Sequence, residues 1–259
     1  MDLGLEGRRV LVTGASSGIG RAVALAFADE GASVVAHAHR AHASLAQWCG
    51  PRAIPTVAGD LADPGDAERV IDAAAAAVGR LDAAVAVAGW WPPDDLPLDR
   101  TPVDVLRRAV DDNLWTALWT ARAFLRHLRS VGPAPGGASL VFVGSTAGAF
   151  GEADHAGYAA AKSALHGLAA SLKNEIVAID PAGRVNGVRP GWTATPTVAE
   201  RLDPAVVARV TRTMALRRIA DPSDVASAVV FASSPVAARH LTGEWWTVAG
   251  GMEGRILHD

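Results

Sequence analysis

Short apolar runs rich in β-branched residues alternate along the chain with longer stretches whose apolar residues recur at helical spacing. Arg9-Val10-Leu11-Val12-Thr13 reads as a buried strand, and Gly18 to Asp29, built of strong formers, as the helix that follows. Ser33 to His37 is a second strand. Ala53 to Val57 is a weaker third, whose Pro55 points to an irregular or edge-proximal position. Asp63-Pro64 opens a helix to Val78, because proline suits a first helical turn. Ala83 to Ala88 is apolar on both faces, as a central parallel strand must be.

Pro92 to Pro102 is a polar, proline-rich loop. A long helical region, Val103 to Ser130, follows and is interrupted or bent near Asp111-Asp112. Strand five spans Ala138 to Gly144, a helix Tyr158 to Ile179, and strand six Arg184 to Arg189. Helical segments at Pro204 to Met214 and Pro222 to Ser233 precede a last strand at Trp245 to Val248. Such alternation predicts the α/β class: a single-domain, doubly wound parallel sheet over residues 1–259 with helices on both faces. Residues 193–220, containing Thr, Arg and Pro, form a candidate mobile lid.

Composition narrows the function without naming it. The 259 residues carry a net charge of −3, with 50% hydrophobic and 20% charged residues, as soluble globular proteins do. Charges of both signs are mixed throughout, which argues against nucleic acid as a partner. The longest apolar run, Ala83 to Trp91, is too short to cross a membrane. Met1 to Glu6 is acidic and leads almost at once into a strand, unlike a signal peptide. The single cysteine, Cys49, excludes an intramolecular disulfide framework, so a cytoplasmic setting is expected. Only two of the 24 basic residues are lysines, Lys162 and Lys173, and Tyr158 is the only tyrosine.

Three motifs carry chemistry. Thr13-Gly14-Ala15-Ser16-Ser17-Gly18-Ile19-Gly20 joins a strand to a helix. Its glycines let the backbone turn sharply toward a pyrophosphate, which the helix N-terminus then receives. Tyr158 and Lys162 stand four apart on one helix face, so a phenol and an ammonium point into the same space, and a nearby cation favours phenolate. Ser145 ends strand five, where ligands of open α/β sheets sit.

Together with Asp60, Asn113, Asn186 and Pro190-Gly191, these residues resemble the short-chain dehydrogenase/reductase family from about Leu5 to Met252. The closing stretch Arg218-Ile219, Pro222, Leu241-Thr242-Gly243 and Gly250-Gly251-Met252 is similar to the branch containing 3-oxoacyl-carrier-protein reductases. The resemblance implies a catalytic tetrad of Asn113, Ser145, Tyr158 and Lys162. Tyr158 would be the general acid in ketone reduction, with Lys162 holding the nicotinamide ribose and lowering the phenol pKa. Ser145 would polarise the carbonyl and Asn113 would hold a proton-relay water. Besides Tyr158 and Lys162, it implies cofactor contacts from Gly14, Ser16, Ser17, Gly18, Ile19 and Gly20, from Asp60 and Leu61, from Ala88 and Gly89, and from Pro190, Gly191, Thr193 and Thr195. Two departures matter: the family's Asn-Asn-Ala-Gly at the end of strand four is Ala86-Val87-Ala88-Gly89 here, which puts some hydrogen bonds of the cofactor loop in doubt, and the Asp-Gly-Gly of many members is Ala249-Gly250-Gly251.

Cofactor choice follows from charge. Ala38 stands where NAD-using relatives carry an acid, and His39-Arg40 follow, so Arg40 can pair with a 2′-phosphate through its planar fork and Ser17 can add a hydroxyl. NADP(H) is therefore expected over NAD(H). His37, His39 and His42 cluster nearby; the adenine-ribose rim is the preferred reading, and no metal is expected. Among eight tryptophans, Trp115 and Trp119 suit a core or subunit interface, and Trp245 and Trp246 opposite faces of the last strand. Trp90, Trp91 and Trp192 flank the expected pocket of a bulky substrate, whereas His155 either assists binding or caps the helix. The expected function is hydride transfer between NADPH and a ketone or secondary alcohol, in a homotetramer or homodimer built on the two long helices. The alternatives are an NAD-dependent sugar or alcohol dehydrogenase, a dehydratase or isomerase reusing the same acid, and a non-catalytic dinucleotide-binding scaffold or sensor.

Overall fold

The computed structural model describes residues 2–40, 43–199 and 203–252, so His42 lies outside it. Seven parallel strands form one sheet in the order β3-β2-β1-β4-β5-β6-β7. They are β1 (Arg9–Val12), β2 (Ser33–Ala38), β3 (Thr56–Ala58), β4 (Ala83–Ala86), β5 (Ser139–Val143), β6 (Arg184–Pro190) and β7 (Trp245–Val248). The order reverses between β1 and β4, and the carboxyl ends on either side of that switch point form a crevice.

One face is covered by α1 (Gly18–Asp29), α2 (Ala43–Cys49) and α10 (Pro222–Ser233); Val12, Phe27, Val85 and Val229 lie in the core beneath them. The other face carries α3 (Pro64–Val78), α5 (Thr116–Val131) and α7 (Ala156–Glu175), packed over Leu11, Ile71, Phe124, Phe142 and Leu165. Trp246 packs with the first cluster and Trp245 with the second, so the pair straddles the sheet as its alternation predicts. Local signals set the boundaries: Ser17, Asp63 and Asp221 each cap a helix through their side chains.

β3 is the edge strand that Pro55 predicts, but it is shorter than expected. A 3-10 turn over Gly50–Arg52 ends on Ala53 in the left-handed region, which delays the strand to Thr56. The long helical region divides into α4 (Val103–Val110), a π turn at Asp111–Trp115 and α5. The expected interruption is thus a widened turn, a feature common at functional sites. Short helices α6 (Ala147–Phe150), α8 (Pro196–Ala199) and α9 (Pro204–Thr211) complete the element order. Among the described residues, no helix is long and apolar enough to cross a membrane, and no group of three metal-ligating side chains occurs.

Candidate active site

The glycine loop lies against the end of β4. Gly14 has φ +62, and a Cβ there would stand 2.8 Å from the Ala88 Cα, so only glycine permits this approach. Ser17 caps α1 by accepting from the Gly20 N–H at 3.1 Å, which leaves earlier amides of the first turn facing the crevice. Ser16 is exposed beside it, whereas Ile19 packs against the core.

Thr13 compensates in part for the altered strand-four motif. Its Oγ1 accepts from the Val87 and Ala88 amides, each at 3.0 Å, and donates to the Val85 carbonyl. Asn113, in the π turn and fully buried, holds the next residue: Oδ1 accepts from the Trp90 N–H, and Nδ2 donates to the Trp90 and Ala109 carbonyls. The loop is therefore hydrogen-bonded without the missing asparagines. A Cβ on Gly89 would lie 2.6 Å from Asn113 Oδ1 and 3.1 Å from Lys162 Nζ, so both polar atoms border the space above that glycine.

The remaining tetrad members converge on the same crevice. Ser145 follows β5, and Tyr158 and Lys162 project from α7. Burial pushes the Tyr158 phenol up to about 12, against the lowering influence of the Ser145 hydroxyl. Lys162 is buried and donates to the Val143 carbonyl at 3.1 Å; burial pulls its ammonium down to about 8. Its Nζ lies 5.9 Å from the Tyr158 ring centre. In the protein alone, burial outweighs any cationic lowering of the phenol, which corrects the expected direction of its shift. Pro190 ends β6 and Gly191 follows it; Thr193 Oγ1 donates to the Gly191 carbonyl, and Thr195 Oγ1 accepts from Val198 N–H.

At the far end of the crevice, Arg40 and His39 are exposed beyond Ala38, with His39 Nδ1 3.7 Å from Asp60 Oδ1. Leu61 differs in kind: the residue is only 2% exposed and packs in the core. His37 departs from the rim position expected of it. It is buried, with Nδ1 accepting from Gly14 N–H and Nε2 donating to the Gly59 carbonyl. Burial pulls it down to about 4, so a neutral imidazole ties the glycine loop to the end of β3.

The aromatic residues divide between the site and the surface. Trp91 stacks on His155 with centroids 5.1 Å apart and meets Trp192 edge-on at 6.1 Å, while Arg108 lies over Trp90 at 4.1 Å. His155 occupies the N-cap position of α7 but makes no side-chain cap bond, which removes the capping alternative. Instead it is buried between Asp95 and Glu152, at 3.5 and 4.0 Å. Sequence reasoning missed both acids; the only signal was the spacing of three between Glu152 and His155. A cavity of about 250 Å³ opens here, bordered by Trp90, Leu106, Arg108, His155 and Tyr158. Trp115, the last residue of the π turn and 37% exposed, stacks on Trp119 of α5, which packs partly against the core.

A glycine-rich strand-to-helix turn and a phenol one helical turn from a buried lysine thus meet at one sheet crevice. A family model described as enoyl-(acyl carrier protein) reductase matches residues 14–253. Among curated proteins, the cis-4-hydroxycyclohexanecarboxylate dehydrogenase of Sinomonas cyclohexanicum is 36% identical over 94% of this chain and 96% of its own length. The 3-oxoacyl-[acyl-carrier-protein] reductase of Vibrio harveyi is 32% identical over 96% and 99%. The ligand-free aldohexose dehydrogenase of Thermoplasma acidophilum superposes with a TM-score of 0.85 at 25% identity, covering 100% of this chain and 99% of that one. The chain belongs to the short-chain dehydrogenase/reductase family.

Proposed function

We propose that this oxidoreductase reduces a ketone to a secondary alcohol at the expense of NADPH. The buried Tyr158 phenol, one helical turn from buried Lys162 and influenced by the Ser145 hydroxyl, carries the reading. A phenol held near 12 stays protonated at neutral pH, as a proton donor to a nascent alkoxide must. Bound NADPH would supply the hydride, and the chain supplies geometry and the proton. Ser145 orients the carbonyl oxygen toward Tyr158, Lys162 holds the ribose and stabilises the phenolate left behind, and Asn113 fixes the Gly89–Trp90 turn over which the nicotinamide would lie.

The residues present fit such a cofactor. The α1 N-terminus and Gly14 make the pyrophosphate cradle, Asp60, with Leu61 behind it, borders the adenine, and Pro190 to Thr195 close the nicotinamide side. The preference for the 2′-phosphate rests on exposed Arg40 and His39 with Ala38 where an acid would stand. The lid expected at 193–220 is described at 193–199 and 203–220, and the bridge between Thr193 and Ala220 at its two ends fits a segment that moves as a unit. Stacked Trp115 and Trp119, with exposed Val103 on α4, support a dimer or tetramer built on these helices.

An NAD-linked oxidation of a ring-bearing alcohol is the second reading, favoured by the activities named for the cyclohexanecarboxylate and aldohexose relatives. Paired titrations of NADPH and NADH, followed by quenching of Trp fluorescence, test the choice. Tighter NADPH binding with turnover of a ketone panel supports the first reading. Tighter NADH binding supports the second, and binding to neither overturns both.

A further inference from the structure

Gly14 sits where three elements meet. A Cβ on it would enter the Ala88 backbone beyond β4, and Gly20 of α1 has no room for a side chain against its carbonyl. That carbonyl accepts from the Ser17 N–H at 2.9 Å. The third element is β2, whose His37 takes the Gly14 N–H on Nδ1 at 3.3 Å.

The rest of His37 is committed as well. Nε2 meets the Gly59 carbonyl at 3.0 Å, and the main-chain carbonyl accepts from the Ala15 N–H at 2.7 Å. The two ring partners fix the tautomer: Nδ1 must be bare to accept from an amide, and Nε2 must carry the proton it donates to a carbonyl. The residue is 2% exposed, so both bonds are made inside the protein. Gly59 leads directly into Asp60, whose N–H donates to Asp66 Oδ2 at 3.0 Å and whose Oδ1 accepts from the Ala62 N–H at 2.9 Å. One imidazole thus joins the turn assigned to the pyrophosphate to the loop assigned to the adenine.

We propose that His37 is a positioning residue for the dinucleotide: Nδ1 holds the Gly14 amide, and with it the glycine-rich turn, where the phosphates are received, and Nε2 anchors that hold on the adenine-side loop. The inference rests on the dinucleotide-binding part of the reading above. It assigns different work to the two ring nitrogens, and side-chain length separates them. The amide oxygen of asparagine stands as many bonds from the backbone as Nδ1, and the amide nitrogen of glutamine as many as Nε2. His37→Asn can therefore keep the Gly14 bond, His37→Gln the Gly59 bond, and His37→Phe neither. Asparagine and glutamine each forfeit one buried hydrogen bond, so a residue that served stability alone would show affinity following stability across the three variants.

The test measures NADPH dissociation constants by quenching of Trp fluorescence at pH 7, with Tm by circular dichroism, in wild type and the three variants. His37→Phe and His37→Gln should bind about tenfold or more weakly, the cost of leaving the Gly14 amide unpaired. His37→Asn should stay within about threefold of wild type although its Tm falls, because the bond it loses is the one to Gly59. If His37→Phe does not fold, the comparison of asparagine with glutamine decides alone. Equal affinities in those two variants, or affinities that simply follow Tm, overturn the inference and leave the nucleotide reading standing. A wild type that binds neither NADPH nor NADH overturns that reading and this inference with it.

Discussion

Lys162 illustrates the conflict between stability and function in this fold. The residue is 6% exposed; its ammonium has the Val143 carbonyl as a hydrogen-bond partner and is drawn from 10.5 to about 8 by burial. A tenfold change in a protonation equilibrium is worth about 1.4 kcal/mol, so keeping this charge in the folded protein at pH 7 costs about 3 kcal/mol. Lys162→Met keeps the stem and removes the charge, while depriving the Val143 carbonyl of a donor worth about 1 kcal/mol. The variant should therefore be more stable by about 2 kcal/mol at pH 7, raising Tm by roughly 4–8 °C in a chain of this size.

The pH dependence is the sharper test. Below about 8 the ammonium is charged in both states and the full cost applies. Between about 8 and 10.5 the unfolded chain binds more protons than the folded one, so wild-type stability rises with pH relative to the variant. The advantage of Lys162→Met should shrink across that window and be small at its upper end. Urea and thermal unfolding at pH 7, 9 and 10.5, at fixed protein concentration, would measure it. A variant less stable than wild type at pH 7, or a difference independent of pH, would refute the reasoning. Loss of turnover in the same variant is expected, because function retains a residue that stability opposes.

Other consequences follow from the same geometry. Arg40→Asp should shift the NADPH-over-NADH binding ratio by about tenfold to a hundredfold toward NADH, the worth of a charged hydrogen bond to phosphate; an unchanged ratio would remove Arg40 from the site. His37, lowered to about 4 by burial, is uncharged in the fold while the unfolded imidazole titrates at 6.5, so stability should fall as pH drops from 6.5 toward 4. His37→Phe should flatten that acid limb in urea melts and, by orphaning the Gly14 amide and the Gly59 carbonyl, weaken nucleotide binding at pH 7. Gly14→Ala should abolish nucleotide binding or folding, measured by fluorescence titration and circular dichroism, because its Cβ would enter the Ala88 backbone.

What could be read before the structure depended on how local the determinant was. The limits of α1, α3 and α10 were legible because each is opened by a capping side chain, Ser17, Asp63 or Asp221. The Tyr158–Lys162 pair was legible because the only tyrosine and one of two lysines stand four apart on one helix face, whereas Asn113 was indicated only by the family resemblance. Short α2, α6 and α8 escaped because a helix of one or two turns shows too few residues for periodicity to register. His37 was misassigned for a related reason: a central parallel strand is buried on both faces, so alternation cannot tell a rim residue from an interior tie. Glu152 and Asp95 lie in loops, where spacing carries no directional information, and their meeting at His155 is a product of tertiary packing.

The central claim is that the Tyr158 phenol delivers the proton that completes ketone reduction. The most direct measurement is single-turnover oxidation of enzyme-bound NADPH by a ketone, in wild type and Tyr158→Phe, with NADPH affinity determined for both. The account predicts equal affinity within about threefold and a transfer rate at least about a hundredfold lower in the variant, the usual worth of a positioned general acid. A variant that binds NADPH normally and reduces the ketone at the wild-type rate would contradict it.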